Sequence, residues 1–405
     1  MVEPMPIAGR IAVASKKDRT LVRGIFAGAE EPSDILVDNG VIAKIRPAGR
    51  GTPALGSKTS IIGPTLFDIQ VNGANGIDLQ DCSVTPDDVC ALNDYLAEQG
   101  VSHWIPTIIT GSANDMVHGC RVIAEALREP RVRRAVPGIH LEGPYISPED
   151  GPRGAHDKKH VREPSVEEFE EFMRAAHNNI AYITVAPEVE GAIPFIREVV
   201  KRKVRVALGH HNASPGDIER ALGAGAVLST HLGNGLQGTM NRHCNPLWPQ
   251  LAHDGLTASL IADLEHLPPQ VLRTFIRAKE PKRVILTSDC IHLAGLKPGS
   301  YDLGGAAVRL LPSGRVCLSG TEYLAGSSLL LLQGVVNAMH FGGLTLKQAL
   351  ACASTIPGRL FGLKHRFTLP KEGAKANFIV FTITKSKTRW RSKVKAVFIG
   401  GEQRG

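Results

Sequence analysis

Hydrophobic and polar positions along this chain fall into two regimes. At the start, residues 10–15 and 21–27 are short apolar segments with β-branched members. Two more, 35–37 and 41–45, flank Asp38-Asn39-Gly40. Asn and Gly tolerate positive φ, so that tripeptide predicts a tight hairpin. At the far end, 378–382 and 394–399 read as two further strands closed by Gly400-Gly401. Neither terminal piece carries a helical period. Together they predict one small β-sandwich domain made from both ends of the chain, residues 1–60 and 365–405.

The middle, residues 61–364, behaves differently. Eight short apolar runs recur at 65–71, 101–109, 135–141, 180–186, 204–209, 227–230, 257–262 and 283–287, each followed by a stretch able to form a helix. Runs that are continuously apolar imply strands buried on both faces, as in a parallel sheet wrapped by helices. Eight such repeats over roughly 250–300 residues predict an α/β architecture, a (β/α)8 TIM-type barrel.

The residues that end those runs change the picture from fold to chemistry. Run one ends in Gln70 and Asn72, run three in Glu142, run four in Glu188, and run five in His210 and His211. Run six ends in His231, run seven in Asp263 with His266 close behind, and run eight in Asp289. In a barrel the C-terminal ends of the strands converge on one mouth, where such enzymes build their sites.

Composition narrows the classes. The chain has 405 residues, 43% apolar and 21% charged, which are ordinary globular values and exclude wholesale disorder. Lys and Arg (47) exceed Asp and Glu (39), for a net charge of +8. Part of the excess lies in Lys385, Lys387, Arg389, Arg391, Lys393 and Lys395, whose alternation suits the solvent face of a strand. Only Trp390 accompanies them as an aromatic, so a solvated face is expected in preference to a nucleic-acid stripe. The seven cysteines are scattered without a Cys-x-x-Cys pair, which argues against a disulfide framework or a zinc ribbon. No apolar run reaches the ~18 residues of a membrane span, and no signal-peptide core is seen; a cytoplasmic protein is expected, with neither membrane nor nucleic acid as a partner.

Glu142, His210 and His231 are the best metal set. One carboxylate and two neutral imidazoles suit a catalytic zinc ion with a position left open for water, and Fe2+ or Mn2+ is accepted by the same donors. A single strand-end histidine is more often a hydrogen-bonded rim residue; three ligands on three converging strands favour the metal. Asp289 suits a base that takes a proton from water and returns it to a leaving amine, although Asp is also a good helix N-cap. His266 suits a donor to an oxyanion, or else is a loop histidine. Gln70 and Asn72 are neutral amides and poor zinc ligands, which predicts one metal ion per chain and leaves them as orienters of water or substrate.

Several motifs carry a resemblance. They are Phe67-Asp-Ile-Gln-Val-Asn-Gly73, His140-Leu-Glu-Gly-Pro-Tyr145, Gly209-His-His-Asn-Ala-Ser214, Thr230-His-Leu-Gly-Asn-Gly235, Asp263 with His266, Leu286-Thr-Ser-Asp289 and Leu324-Ala-Gly-Ser-Ser328. On these the chain resembles the amidohydrolase superfamily and, within it, the N-acetylglucosamine-6-phosphate deacetylases, over nearly its whole length. The resemblance implies hydrolysis of the acetamide of N-acetylglucosamine 6-phosphate to glucosamine 6-phosphate and acetate. It implies Glu142, His210 and His231 as ligands of a single metal and Asp289 as base, then acid, with His266 near the reacting carbonyl. It further implies substrate contacts at His156, Asn234 and Gly235, and a phosphate-binding role for Arg242, which dimers of this family supply from the neighbouring subunit. A homodimer acting on a small phosphorylated amino sugar follows. From spacing alone Arg242 also fits a residue of a loop salt bridge, and His156 fits a similar role.

The sequence departs from the family pattern in places. Leu264 and Glu265 stand between Asp263 and His266, where many members have Gly and an aliphatic residue. The segment 233–248 also differs, so phosphate recognition is the part of the transfer that most needs testing; Gly358 and Asn377 replace common Ala and acidic residues without evident functional weight. Two other readings compete: an amidohydrolase of an unphosphorylated N-acetyl sugar or another small amide, and a barrel that binds a partner after losing catalysis. The complete Glu/His/His/Asp set argues against the last.

Overall fold

A computed structural model describes residues 19–303, 306–320, 324–386 and 389–404; the segment 10–15, expected as a strand, and Lys387 lie outside them. Eight parallel strands follow one another around a barrel: Leu66–Val71, Val101–Ile109, Ile139–Glu142, Ile180–Val185, Arg205–Leu208, Leu228–Ser229, Thr257–Ile261 and Val284–Thr287, called strands one to eight below. All eight expected runs are strands. Strand three begins later than its run because Pro130–Ala135 forms a short helix, opened by a proline whose missing N–H costs nothing in a first turn.

Closure between strands eight and one lies directly beside the site. The buried Asp68 carboxylate accepts Thr287 Oγ1 at 2.8 Å and the Ser288 N–H at 3.1 Å. Backbone bonds from Asp289 N to Gln70 O (3.0 Å) and from Asn72 N to Cys290 O (2.8 Å) complete the seam. Burial pushes the Asp68 carboxyl above its ordinary value, against the four donations it receives. Inside the barrel, Phe67, Ile69, Ile105, Tyr182, Ala207, Leu228 and Ile285 form a dry layer capped by Phe361 and Phe367. Such a layer makes the barrel a packed core rather than a pore, so polar groups collect only at the mouth.

The surrounding helices are set by caps and apolar faces. Ser165 caps Val166–Ala175 by accepting the Glu168 N–H, and the helix buries Phe169, Phe172 and Met173. Ser214 and Asp217 cap Pro215–Ala224 reciprocally, and Gly225 at φ 111° ends it.

Outside the barrel, strands from both ends of the chain pair into one seven-stranded mixed sheet in the order Glu402–Arg404, Trp390–Ile399, Phe378–Lys385, Leu55–Gly63, Arg19–Phe26, Pro32–Asp38, Val41–Pro47. N-terminal and C-terminal halves meet where Gly63, Ile62 and Ile61 pair with Ile379, Val380 and Phe381. The expected hairpin is present, with Asn39 at φ 49° and Gly40 at φ 77°. Arg391, Lys393 and Lys395 all face solvent. The seven cysteines are free, and among the described residues no helix is long and apolar enough to cross a membrane.

One element was not expected. Gly299–Leu303, Ala306–Leu310, Arg315–Leu318 and Leu324–Ser327 form a four-stranded antiparallel sheet inserted after strand eight. It has its own small core of Leu293, Val308, Leu310, Val316 and Ala325. Its last strand bridges back to Cys290, so it is anchored one residue from Asp289.

Candidate active site

Three groups from three strand ends converge at the barrel mouth. Glu142 Oε1 lies 2.8 Å from His231 Nε2 and 3.3 Å from His210 Nε2, and the two imidazole nitrogens are 3.1 Å apart. All three residues are buried. Both histidines, and Asp289 beside them, reach the mouth through unusual backbone. His210 (φ 52°), His231 (φ 29°) and Asp289 (φ 50°) adopt the left-handed region that non-glycine residues avoid, a strain held at functional sites by the structure around them. The residue after Glu142 must be glycine, since Gly143 has φ 83° and a Cβ there would come within 2.2 Å of Thr110 Oγ1.

Electrostatics favour a charged carboxylate here. Burial works against the ionised Glu142, but the His210 and His231 imidazoles beside it outweigh burial and hold the carboxyl well below its ordinary value. Burial likewise opposes charge on His231, yet the adjacent carboxylate raises the imidazole above its usual value. His210 gives its Nδ1–H to the Pro152 carbonyl at 2.9 Å, which fixes the tautomer and leaves an Nε2 lone pair aimed at the cluster.

Such a donor set fits a divalent cation. Two imidazole nitrogens and a carboxylate oxygen within 4.8 Å of one another are the ligand types of catalytic zinc sites, and a cation held by them would relieve the contact between the two Nε2 atoms.

The amides of strand one serve the carboxylates. Gln70 Nε2 donates to Glu142 Oε1 at 2.8 Å, and Asn72 Nδ2 donates to Asp289 Oδ1 at 2.8 Å. Asp289 is held up to about 7 by burial and then by the charge of Glu142, against the pull of His231, Asn72 and His266. His156 Nε2 stands 3.3 Å from His210 Nε2, and burial lowers this imidazole to about 3. Gly235 (φ 59°) lies flat against the His210 ring, where a Cβ would approach Nδ1 to 2.8 Å.

The remaining candidates are held apart from that knot. Asn234 turns its amide back onto the His231 carbonyl at 3.1 Å. His266 is locked by Asp263, which accepts its ring Nδ1–H at 2.6 Å and its backbone N–H at 2.8 Å. With Nδ1 so engaged, Nε2 donates only from the doubly protonated ring. Arg242 is exposed; its carbonyl accepts Trp248 Nε1 at 2.8 Å, and among the described residues its guanidinium meets no hydrogen-bonding or ion-pairing partner. Glu188 is engaged elsewhere, accepting the Asn212 N–H at 2.6 Å, and burial raises it to about 7.

Sequence reasoning missed the Pro152 carbonyl, the Asp68 brace and Arg315. A backbone acceptor leaves no residue-type signal. Arg315, which pairs with Glu265 at 3.1 Å, belongs to the unexpected sheet.

A barrel with this Glu/His/His cluster and a carboxylate at its mouth has the frame of a hydrolase that works with a bound cation. The chain belongs to the amidohydrolase family, whose pattern matches residues 61–404. It is similar to N-acetylgalactosamine-6-phosphate deacetylase of Escherichia coli O157:H7, with 30% identity over 344 residues, 85% of this chain and 89% of that protein. N-acetylglucosamine-6-phosphate deacetylase of Danio rerio is 31% identical over 362 residues, 85% of each chain. Among solved structures, N-acetylglucosamine-6-phosphate deacetylase from Thermotoga maritima superposes with a TM-score of 0.73 at 27% identity, covering 89% of this chain and 94% of that one.

Proposed function

We propose that this protein hydrolyses the acetamide of N-acetylglucosamine 6-phosphate, releasing acetate and glucosamine 6-phosphate, with one divalent ion held by Glu142, His210 and His231. The observation that carries the reading is the buried Glu142–His210–His231 cluster sharing a mouth with Asp289. Zinc is the first expectation for that donor set, with Fe2+ or Mn2+ also accommodated. When bound, the ion supplies Lewis-acid polarisation of an acyl oxygen and a more acidic water.

The chain's own residues do the rest. Asp289, a carboxyl held at one oxygen by Asn72, takes the proton of the attacking water and delivers it to the departing amine. Asn72 occupies Oδ1 of Asp289, so Oδ2 is the oxygen that works. His266, oriented by Asp263, in its doubly protonated form donates from Nε2 to the acyl oxygen as negative charge develops there. His156 and Gly235 shape the wall beside the ligands, and Asn234 and Gly235 border the sugar. Arg242 lies free on an exposed loop, suited to grip a phosphate with its planar fork in its own site or, in a homodimer, in the neighbouring one.

A second substrate, the 6-phosphate of N-acetylgalactosamine, is favoured by the E. coli relative, which is as similar as the glucosamine enzymes. The test is to incubate the metal-loaded protein with each epimer and quantify acetate and free amino sugar. Equal amounts of the two products, stopped by a chelator and restored by metal, are expected. Loss of the substrate without free amine would refute amide hydrolysis.

A further inference from the structure

The loop that presents His266 is fastened from behind. Leu264 takes φ 72°, a left-handed conformation costly for a branched side chain, and rests half-buried against the main core. Asp263 Oδ1 ties the loop from within by accepting the N–H groups of Glu265 (2.9 Å) and His266 (2.8 Å). Glu265 then reaches outward to the inserted sheet, where Arg315 Nη1 donates to its Oε2 at 3.1 Å. Both side chains are about four-fifths covered, at 20% and 23% exposure. The fourth strand of that sheet bridges to Cys290, beside Asp289. One small sheet thus touches the loops of both His266 and Asp289.

We propose that Arg315 is a positioning residue for His266, acting through Glu265: the pair holds the strained Asp263–Leu264–Glu265 turn closed and so fixes where the His266 ring meets the acyl oxygen. The proposal rests on the reading of His266 given above. It gives the charged residue beside His266 a purpose, since the Glu265 carboxylate is engaged by Arg315. Small displacements of a donor from the developing charge cost up to ~100-fold in rate, so a few-fold effect is expected from loosening one tie of several.

The experiment is a double-mutant cycle on the metal-loaded, full-length protein, reading kcat, KM, metal content and melting temperature. Glu265→Gln and Arg315→Gln should each lower kcat by roughly 3- to 10-fold with KM within about 2-fold, and the double variant should be no worse than either. In a His266→Asn background the same two changes should cost nothing further. The exchange Glu265→Arg with Arg315→Glu should recover most of the lost kcat. A brace unrelated to His266 would instead lower kcat by the same factor in both backgrounds, or lower metal content and melting temperature, and either result overturns the proposal. If His266→Asn is crippled while the pair variants match the wild type, this proposal alone fails. If His266→Asn is itself harmless, the parent reading of His266 fails and takes the proposal with it.

Discussion

The side-chain amide of Asn72 donates a 2.8 Å hydrogen bond to Oδ1 of Asp289, linking the ends of the first and last barrel strands. Asp289 is therefore held on both sides: by this amide and by its own backbone N–H, which donates to Gln70 O at 3.0 Å. Its left-handed φ of 50° persists because strands one and eight are stitched together around it. For Asp289→Asn we predict normal metal content and a kcat reduced by about 10²–10⁴-fold, the usual range for a lost general base. Metal analysis and steady-state kinetics on the same preparation check it; full activity would remove Asp289 from the mechanism.

Asn72→Leu should separate orientation from chemistry. Donation from Asn72 lowers the Asp289 pKa, so losing it raises that pKa. The acid limb of kcat/KM should move to higher pH, and kcat near neutrality should fall by about 10-fold as the carboxylate loses its orientation. The pH–rate profiles of the two proteins decide it. An unmoved acid limb would mean Asn72 acts on the substrate and not on Asp289.

Much of this was legible in the residue order, and the reasons are physical. Continuous apolar runs marked the eight strands because burial on both faces leaves no polar positions, and Asn39-Gly40 marked the hairpin because few other pairs tolerate positive φ twice. Glu142, His210, His231 and Asp289 stood out as polar ends of apolar runs. The partner of each was not legible: that Asn72 faces Asp289 and Gln70 faces Glu142 depends on barrel closure, which joins residues more than 70 positions apart. The inserted sheet was hidden because its strands are short, with an apolar core of only a few side chains.

The metal set should be required for both ion binding and stability. Wild-type protein should carry close to one equivalent of divalent ion, and Glu142→Gln should carry less than about a tenth, because removing the only carboxylate leaves two neutral donors. Chelation should lower the melting temperature of the wild type and leave that of Glu142→Gln unchanged. Elemental analysis with thermal melts reads both; undiminished metal in the variant would place the ion elsewhere.

Glu188 offers a stability test independent of catalysis. Burial raises its pKa to about 7 from the ordinary 4.5, so the folded state binds this proton more tightly than the unfolded chain. Its contribution is therefore favourable at low pH and is lost as pH rises from about 4.5 to 7. Glu188→Gln keeps an acceptor for the Asn212 N–H and cannot ionise. At pH 8 it should be more stable than wild type by on the order of 1–2 kcal/mol, with the gap closing toward pH 5. Melting curves across that range check it, and a gap that widens on acidification would reverse the assigned sign.

The most direct test of the account is acetate release by the zinc-loaded protein from N-acetylglucosamine 6-phosphate and from N-acetylglucosamine, measured side by side. The account predicts rapid release from the phosphorylated sugar and a kcat/KM at least ~100-fold lower without the phosphate, a gap that Arg242→Ala should narrow by raising KM for the phosphorylated sugar. No acetate from either sugar, with the metal bound, would contradict it.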